Sequence, residues 1–577
     1  MSTFPWLTVT IAIPAAGALV LAVMPSAAAG ASDADKQARG TVAKRIALLF
    51  SLLTLAVTIA MIISFKPGGP AFQFTQVYSW IPQFGIHYAV GVDGIGLVLI
   101  GMTAVLMPVV VLASWNDADP VPRPAGGDGT AGDEVVPVDG VPGPRPRHSV
   151  KTYFVWMLLL EAMVIGIFAA TDVFLFYVLF EAMLIPMYFM IGSYGVGQRQ
   201  YAAVKFLLYS LLGGLLMLAA VIALYVYSTR GGHPGTFQFS QLTQLAISPE
   251  AQKWLFLGFF VAFAIKAPLW PFHTWLPDAA TSAQPGAAVL LVGVLDKVGT
   301  FGMIRYCLEL FPAASHYFTP LVIVLAVVGI LYGAIVAIGQ RDIKRLIAYT
   351  SISHFGLIAL GIFVFTSQGQ SGATLYMVNH GFATGALFLI AGFMIVRRRS
   401  HLISDYGGVQ SVAPVLAGLF LVSGLAALSL PGLSTFVSEF LVLVGAFTKY
   451  KAAAVAATLA SVLAAIYILW MYQRTMTGPV RDQTRHMPDL KARELWAVGP
   501  LIALIIFFGV YPQPLLNIIN PAVHRTLVQT HSTDPVPPHP ARVVAHPVPP
   551  HPAHPAQVVV YTGKNADGRP YSKELTP

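Results

Sequence analysis

The chain of 577 residues has a single cysteine, Cys307, and only 10% charged residues. One thiol excludes an intrachain disulfide, and it excludes any iron–sulfur cluster held by this chain alone, because such clusters take about four thiolates. Any electron chemistry must come from elsewhere. The scarcity of charge, set against 56% hydrophobic residues and a mean hydropathy of +0.70, argues against a soluble globular enzyme. A net charge of +9 is no nucleic-acid signal here: the lysines and arginines cluster in short segments between apolar runs, and no basic groove or recognition motif accompanies them. Met1–Pro25 also lacks the basic start of a cleaved signal, so it reads as a first transmembrane helix.

What the chain has in abundance is long apolar runs. A bilayer-spanning helix takes about 20 such residues. On that criterion the sequence predicts an all-α polytopic membrane protein with about fourteen spans, at 5–25, 44–64, 93–114, 153–171, 172–191, 203–227, 254–272, 286–308, 319–339, 344–365, 371–396, 413–448, 452–473 and 494–512. The twelfth is too long for one straight helix, and Leu430-Pro431-Gly432 supplies a break. Odd-numbered loops hold 21 basic residues and even-numbered loops 6, which predicts odd loops in the cytoplasm and both termini outside. Two segments, Asn116–His148 and His531–Pro577, are too rich in Pro, Gly, Asp or His to bury a core. The expected organisation is therefore helices one to three (1–115), an unfolded loop insertion (116–150), helices four to eight (151–308), helices nine to thirteen (319–473), helix fourteen (494–520) and an unfolded Pro/His-rich tail (531–577). The tail histidines read as a solvated segment; a metal site is the rival reading.

Four charges interrupt the apolar runs: Glu181, Lys266, Lys297 and Glu439. An ionisable group at the centre of a membrane helix costs roughly 2.5–3.5 kcal/mol on insertion scales, so such residues mark proton or ion paths by default. Lys266 stands directly before Pro268 and Pro271, so its helix should break beside it. Broken backbone at membrane depth survives only when buried in protein or lining a wet cavity, where a titrating ammonium is useful. The rival reading is a lysine snorkelling from a helix end. The twelfth span repeats the arrangement, with Pro431-Gly432 followed by Glu439. Paired broken helices suggest an inverted repeat of helices four to eight against nine to thirteen. Glu181, in the fifth span, would form with Lys266 a protonation switch set by distance, or else a static pair that only orients helices. Asp296 precedes Lys297 but points about 100° away on a helix, so it is not the obvious partner. His354 and His380 suit proton transfer near neutral pH. Haem ligation across two helices and plain hydrogen bonding are the alternatives for that pair. Glu161, Asp172 and Asp278 lie nearer helix ends and are weaker candidates.

Three stretches carry a resemblance: Phe174–Phe189 around Glu181, Ala264–Ala279 around Lys266, and Asp342–His354. Together they resemble the antiporter-like subunits of proton-pumping NADH–quinone oxidoreductase, respiratory complex I, over about residues 5–520. Within that superfamily the chain is most similar to the subunit M family. Subunits L and N typically carry lysine where Glu439 stands, and L continues into a long lateral helix; here the bundle ends near Gly509–Pro514. Glu439 also suits the related subunit of multisubunit sodium/proton antiporters, which keeps an antiporter as the alternative function. The resemblance implies an antiporter-like fold with two inverted five-helix repeats and broken helices seven and twelve. It implies a bacterial inner-membrane location, and a proton path of Glu181, Lys266, Lys297, His354, His380 and Glu439. It further implies no cofactor and no metal in this chain, FMN, iron–sulfur clusters and quinone in other subunits, and partnership with subunits L and N and the lipid bilayer. The departures from the family pattern are the 116–148 insertion, the His/Pro tail and Asp296.

Overall fold

Twelve helices among the described residues are long and apolar enough to cross a membrane. The two other expected spans, 254–272 and 413–448, are the two that break. The computed structural model describes residues 4–25, 32–119, 149–230, 234–535, 559–564 and 570–575. The expected insertion from 120 to 148 and the tail segment 536–558 lie outside the described residues. The chain divides into two units, Met1–Asp534 and Pro535–Pro577.

The first two helices, Trp6–Val23 and Asp33–Ser64, leave Leu19, Val23, Leu49, Leu52 and Ile63 exposed, as a lipid-facing surface requires. Ser367–Arg398 is buried over most of its length because it packs against Ile343–Phe363, Ser434–Lys449, Gly94–Ala113 and Ala492–Val510 at once. In the seventh span the helix Pro249–Lys266 stops and Trp275–Ser282 resumes the path. Pro268 has no N–H for the Ala264 carbonyl, so the Leu269 amide takes that carbonyl at 2.9 Å, and the freed Ile265 carbonyl accepts from the buried Trp275 indole at 2.9 Å. The break is thus satisfied by protein, as a membrane interior demands. In the twelfth span Pro414–Ala427 and Ser434–Lys449 flank a link in which Ser429 and Gly432 have φ of 59° and 92°.

Four local features differ from expectation. Gln73–Ile81 and Ile86–Val92 form an antiparallel hairpin, turned at Gly85 with φ 63°, within an otherwise helical unit. Their aromatic and β-branched residues favour a strand, and the run is too short to span. Past Tyr511-Pro512 the bundle continues as Gln513–Gln529, whose Ile519, Val523 and Leu527 are buried, so helix fourteen does not run straight to 520. His531–Asp534 belongs to the first unit: Asp534 accepts from the Ser367 amide at 2.8 Å and hydroxyl at 2.5 Å. The tail that was expected to be unfolded contains a paired hairpin, Val559–Lys564 with Pro570–Leu575.

A candidate proton path of buried charges

Glu181 and Lys266 face one another without touching. Lys266 is buried, and its Nζ has no hydrogen-bond partner among the described residues; it lies 5.1 Å from the Phe206 ring centroid and 5.5 Å from that of Phe180. Glu181 Oε1 is likewise buried and unpartnered among the described residues. The expected pair is therefore not in hydrogen-bond contact. One stripe of the helix Arg199–Ser228 adjoins both of them. Phe206, Ser210, Gly213 and Gly214 recur at helical spacing; Ser210 is buried with a free hydroxyl, and a Cβ at Gly214 would meet Glu181 Oε1 at 1.7 Å. Only glycine leaves room for that carboxyl. Sequence reading missed this stripe, although Leu212-Gly213-Gly214-Leu215 inside an apolar helix was its signal.

The eighth span, Pro285–Leu308, contains two π-helical stretches, Leu291–Leu295 and Met303–Leu308, around the α-helical turns Asp296–Gly302. Such wide turns are frequent at functional sites. Here the Val292 carbonyl accepts from Lys297 Nζ at 2.5 Å, and the same Nζ lies 2.7 Å from His380 Nδ1. The lysine and the imidazole share one hydrogen bond, so a proton between them resides on Nζ or on Nδ1 with little motion. The His380 ring meets His354 edge to face at 5.2 Å, and His354 lies 5.7 Å from the Tyr376 ring. Tyr376 donates to Glu439 Oε2 at 3.3 Å; Ser429 donates to the same oxygen at 2.6 Å and Ser461 to Oε1 at 2.5 Å. Ser429 reaches Glu439 because it sits in the break of the twelfth span. Asn379 donates to the Ser434 carbonyl at 2.7 Å and to Ser438 at 2.8 Å, fixing the His380 helix on the Glu439 helix.

The structure thus brings Lys297, His380, His354 and Glu439 into one series, with Tyr376 as a link that the sequence did not single out. Glu181 and Lys266 form a separate group on the other side of the eighth span. Of the weaker candidates, Asp172 caps the helix Val173–Ala182 and Asp278 pairs with Lys205 and Arg345 at 2.7 and 2.8 Å; both are structural. Glu161 is fully buried, with both oxygens unpartnered among the described residues. Arg305 lies within the π-helical end of the eighth span and binds Asp93 at 2.6 Å and Glu309 at 3.3 Å. An arginine so placed is tolerated because two acids and the rings of Phe72 and Phe239 surround it. No cluster of metal-ligating side chains occurs among the described residues.

A family profile described as "NADH:quinone oxidoreductase/Mrp antiporter, TM" matches residues 170–464, which contain every charge and histidine of this series. NADH-quinone oxidoreductase subunit M of Mycobacterium tuberculosis is 52% identical over 565 residues, covering 94% of this chain and 98% of the relative. The chain belongs to the subunit M family of NADH-quinone oxidoreductase. It is accordingly a membrane subunit of a multisubunit enzyme, respiratory complex I, and has the antiporter-like fold of that family. A chain of the respiratory complex I from Thermus thermophilus with bound NADH superposes with a TM-score of 0.77 at 29% identity, covering 91% of this chain and 99% of that one. The Mrp complex of Dietzia sp. DQ12-45-1b shares the fold, with a TM-score of 0.74 at 19% identity, over 92% of this chain and 99% of that one. Proton translocation is general to the subunit M family.

Proposed function

We propose that this subunit carries protons through Glu181, Lys266, Lys297, His380, His354 and Glu439, while electrons pass through FMN, iron–sulfur clusters and quinone in other subunits. The observation that carries the reading is the buried series from Lys297 to Glu439, hydrogen-bonded at its two ends and joined by ring contacts of His380, His354 and Tyr376. Each member can hold or release a proton, and water-excluding aromatic rings line the route. Reduction of quinone elsewhere would change the charge felt at Glu181 and Lys266, and a proton lost or gained there would pass through the chain toward Glu439. Subunits L and N would be the neighbours in the membrane. A sodium/proton exchanger without electron donors remains the second reading, because the same broken-helix fold occurs in the Mrp complex. Co-purification with flavin and iron–sulfur subunits separates the two.

The path is tested at its central lysine. In membranes with assembled complex, Lys297→Ala should lower both NADH-driven quenching of a pH-sensitive dye and NADH oxidation by about tenfold or more, since a positioned proton-transfer group is worth at least that much. Undiminished quenching by assembled complex would reject the path.

The proposed orientation, odd loops in the cytoplasm, is tested by cysteine labelling. Native Cys307 is buried and stays silent. Arg341, in the loop after the ninth expected span, and Lys66, in the loop after the second, are both exposed and of opposite predicted side. Arg341→Cys should react with an impermeant maleimide only in inside-out vesicles, and Lys66→Cys only in right-side-out cells; the reverse pattern would invert the topology.

A further inference from the structure

Asp296 is fully buried, and neither of its oxygens has a hydrogen-bond partner among the described residues. Its position on the eighth span is defined by its neighbours. Gly299, one turn on along the same face, lies so close to the end of the Lys266 helix that an added Cβ would meet the Ala267 nitrogen and the Phe263 carbonyl at 2.6 Å. Gly302, a further turn on, meets the Phe263 ring at 2.5 Å. The face carrying Asp296 therefore packs on the segment that ends in Lys266. Lys297, about 100° around the helix, turns instead to His380, and Thr300 on its face reaches Met377 of the same helix as His380. Adjacent residues thus look into the two halves of the bundle. Lys266 Nζ, like the Asp296 oxygens, is buried without a hydrogen-bond partner, and buried polar groups in this state are satisfied by one another or by bridging water.

We propose that Asp296 is the proton relay across the eighth span, joining Lys266 to Lys297. This rests on the path proposed above. In the first step the Lys266 ammonium gives its proton to the Asp296 carboxylate, leaving a neutral amine and a carboxylic acid. In the second step the acid gives that proton to the neutral Lys297 amine, regenerating the carboxylate; Lys297 then shares it with His380 Nδ1. No oxidant or further reactant enters. The divergence of Asp296 from Lys297, which speaks against a static ion pair, is what lets one helix turn hand a proton from one half to the other.

The test compares Asp296→Asn, which keeps the shape and cannot accept a proton, with Asp296→Glu, which keeps the carboxyl, and with Lys297→Ala, all in membranes with quantified assembled complex. Asp296→Asn should lower NADH-driven dye quenching per complex by about tenfold or more, and Asp296→Glu should recover a substantial part of it. In redox-induced infrared difference spectra of purified complex, a protonated-carboxyl band should be present in the native enzyme and absent from Asp296→Asn. Normal quenching by assembled Asp296→Asn, or equal loss in the Asn and Glu variants with the infrared band unchanged, would overturn the relay. If Asp296→Asn pumps normally and Lys297→Ala does not, only the relay fails; if Lys297→Ala also pumps normally, the whole path fails.

Discussion

Lys266→Arg is expected to assemble into the complex and yet pump protons poorly, with NADH-driven dye quenching lowered by about tenfold or more. The site explains why a conservative change is so damaging. Lys266 Nζ sits among the rings of Phe180 and Phe206 with no hydrogen-bond acceptor among the described residues, and it makes no hydrogen bond to Glu181. An arginine keeps the positive charge, and its longer, forked head can close the gap to Glu181 and stack on the rings. It is never deprotonated in a protein, so the bond it makes cannot be released. Lys266→Ala should be at least as inactive, because it removes the proton carrier and leaves Glu181 facing an apolar hole. A purely structural ion pair predicts the opposite ranking, with arginine close to wild type and alanine defective in assembly. NADH oxidation and dye quenching, each normalised to assembled complex, separate the two; full pumping by Lys266→Arg would sink the switch.

Much of this arrangement was legible from the sequence because the signals are local. Apolar length gives the spans, proline next to lysine gives the break after Lys266, and Pro431-Gly432 gives the break before Glu439. What was not legible depends on packing between distant segments. Nothing local to Tyr376 says that its hydroxyl reaches Glu439, and nothing local to Ser429 says that the broken twelfth span turns it inward. Nothing local to Arg305 says that its partner is Asp93, more than two hundred positions earlier. The π-helical turns around Lys297 have no composition of their own. Asp296 shows how a correct local argument can lead to the wrong emphasis. Its 100° divergence from Lys297 does exclude a simple pair, but which helix lies on that other face is a tertiary fact, visible only through the contact of Gly299 with Ala267.

Glu439→Gln is expected to leave fold and assembly intact while lowering proton pumping by about tenfold or more. The carboxyl accepts three hydroxyl bonds, from Ser429, Ser461 and Tyr376. Glutamine has the same shape, its amide oxygen can keep accepting, and hydroxyls can rotate to accept from its NH2, so the polar cluster stays satisfied. Only the capacity to take and release a proton disappears. Glu439→Asp should fall between the two, because the shorter side chain still ionises but withdraws from part of its hydroxyl set. Tyr376→Phe should cost less than Glu439→Gln: it removes the phenol that joins His354 to the carboxyl, a link water can replace more readily than it can replace the acid itself. If Glu439 merely anchors the broken helix through these hydroxyls, Gln should pump like wild type and the Tyr376→Phe variant should show its defect as reduced complex content. Dye quenching per assembled complex, measured across the three variants, distinguishes a terminal proton acceptor from an anchor, and normal pumping by Glu439→Gln would remove Glu439 from the path.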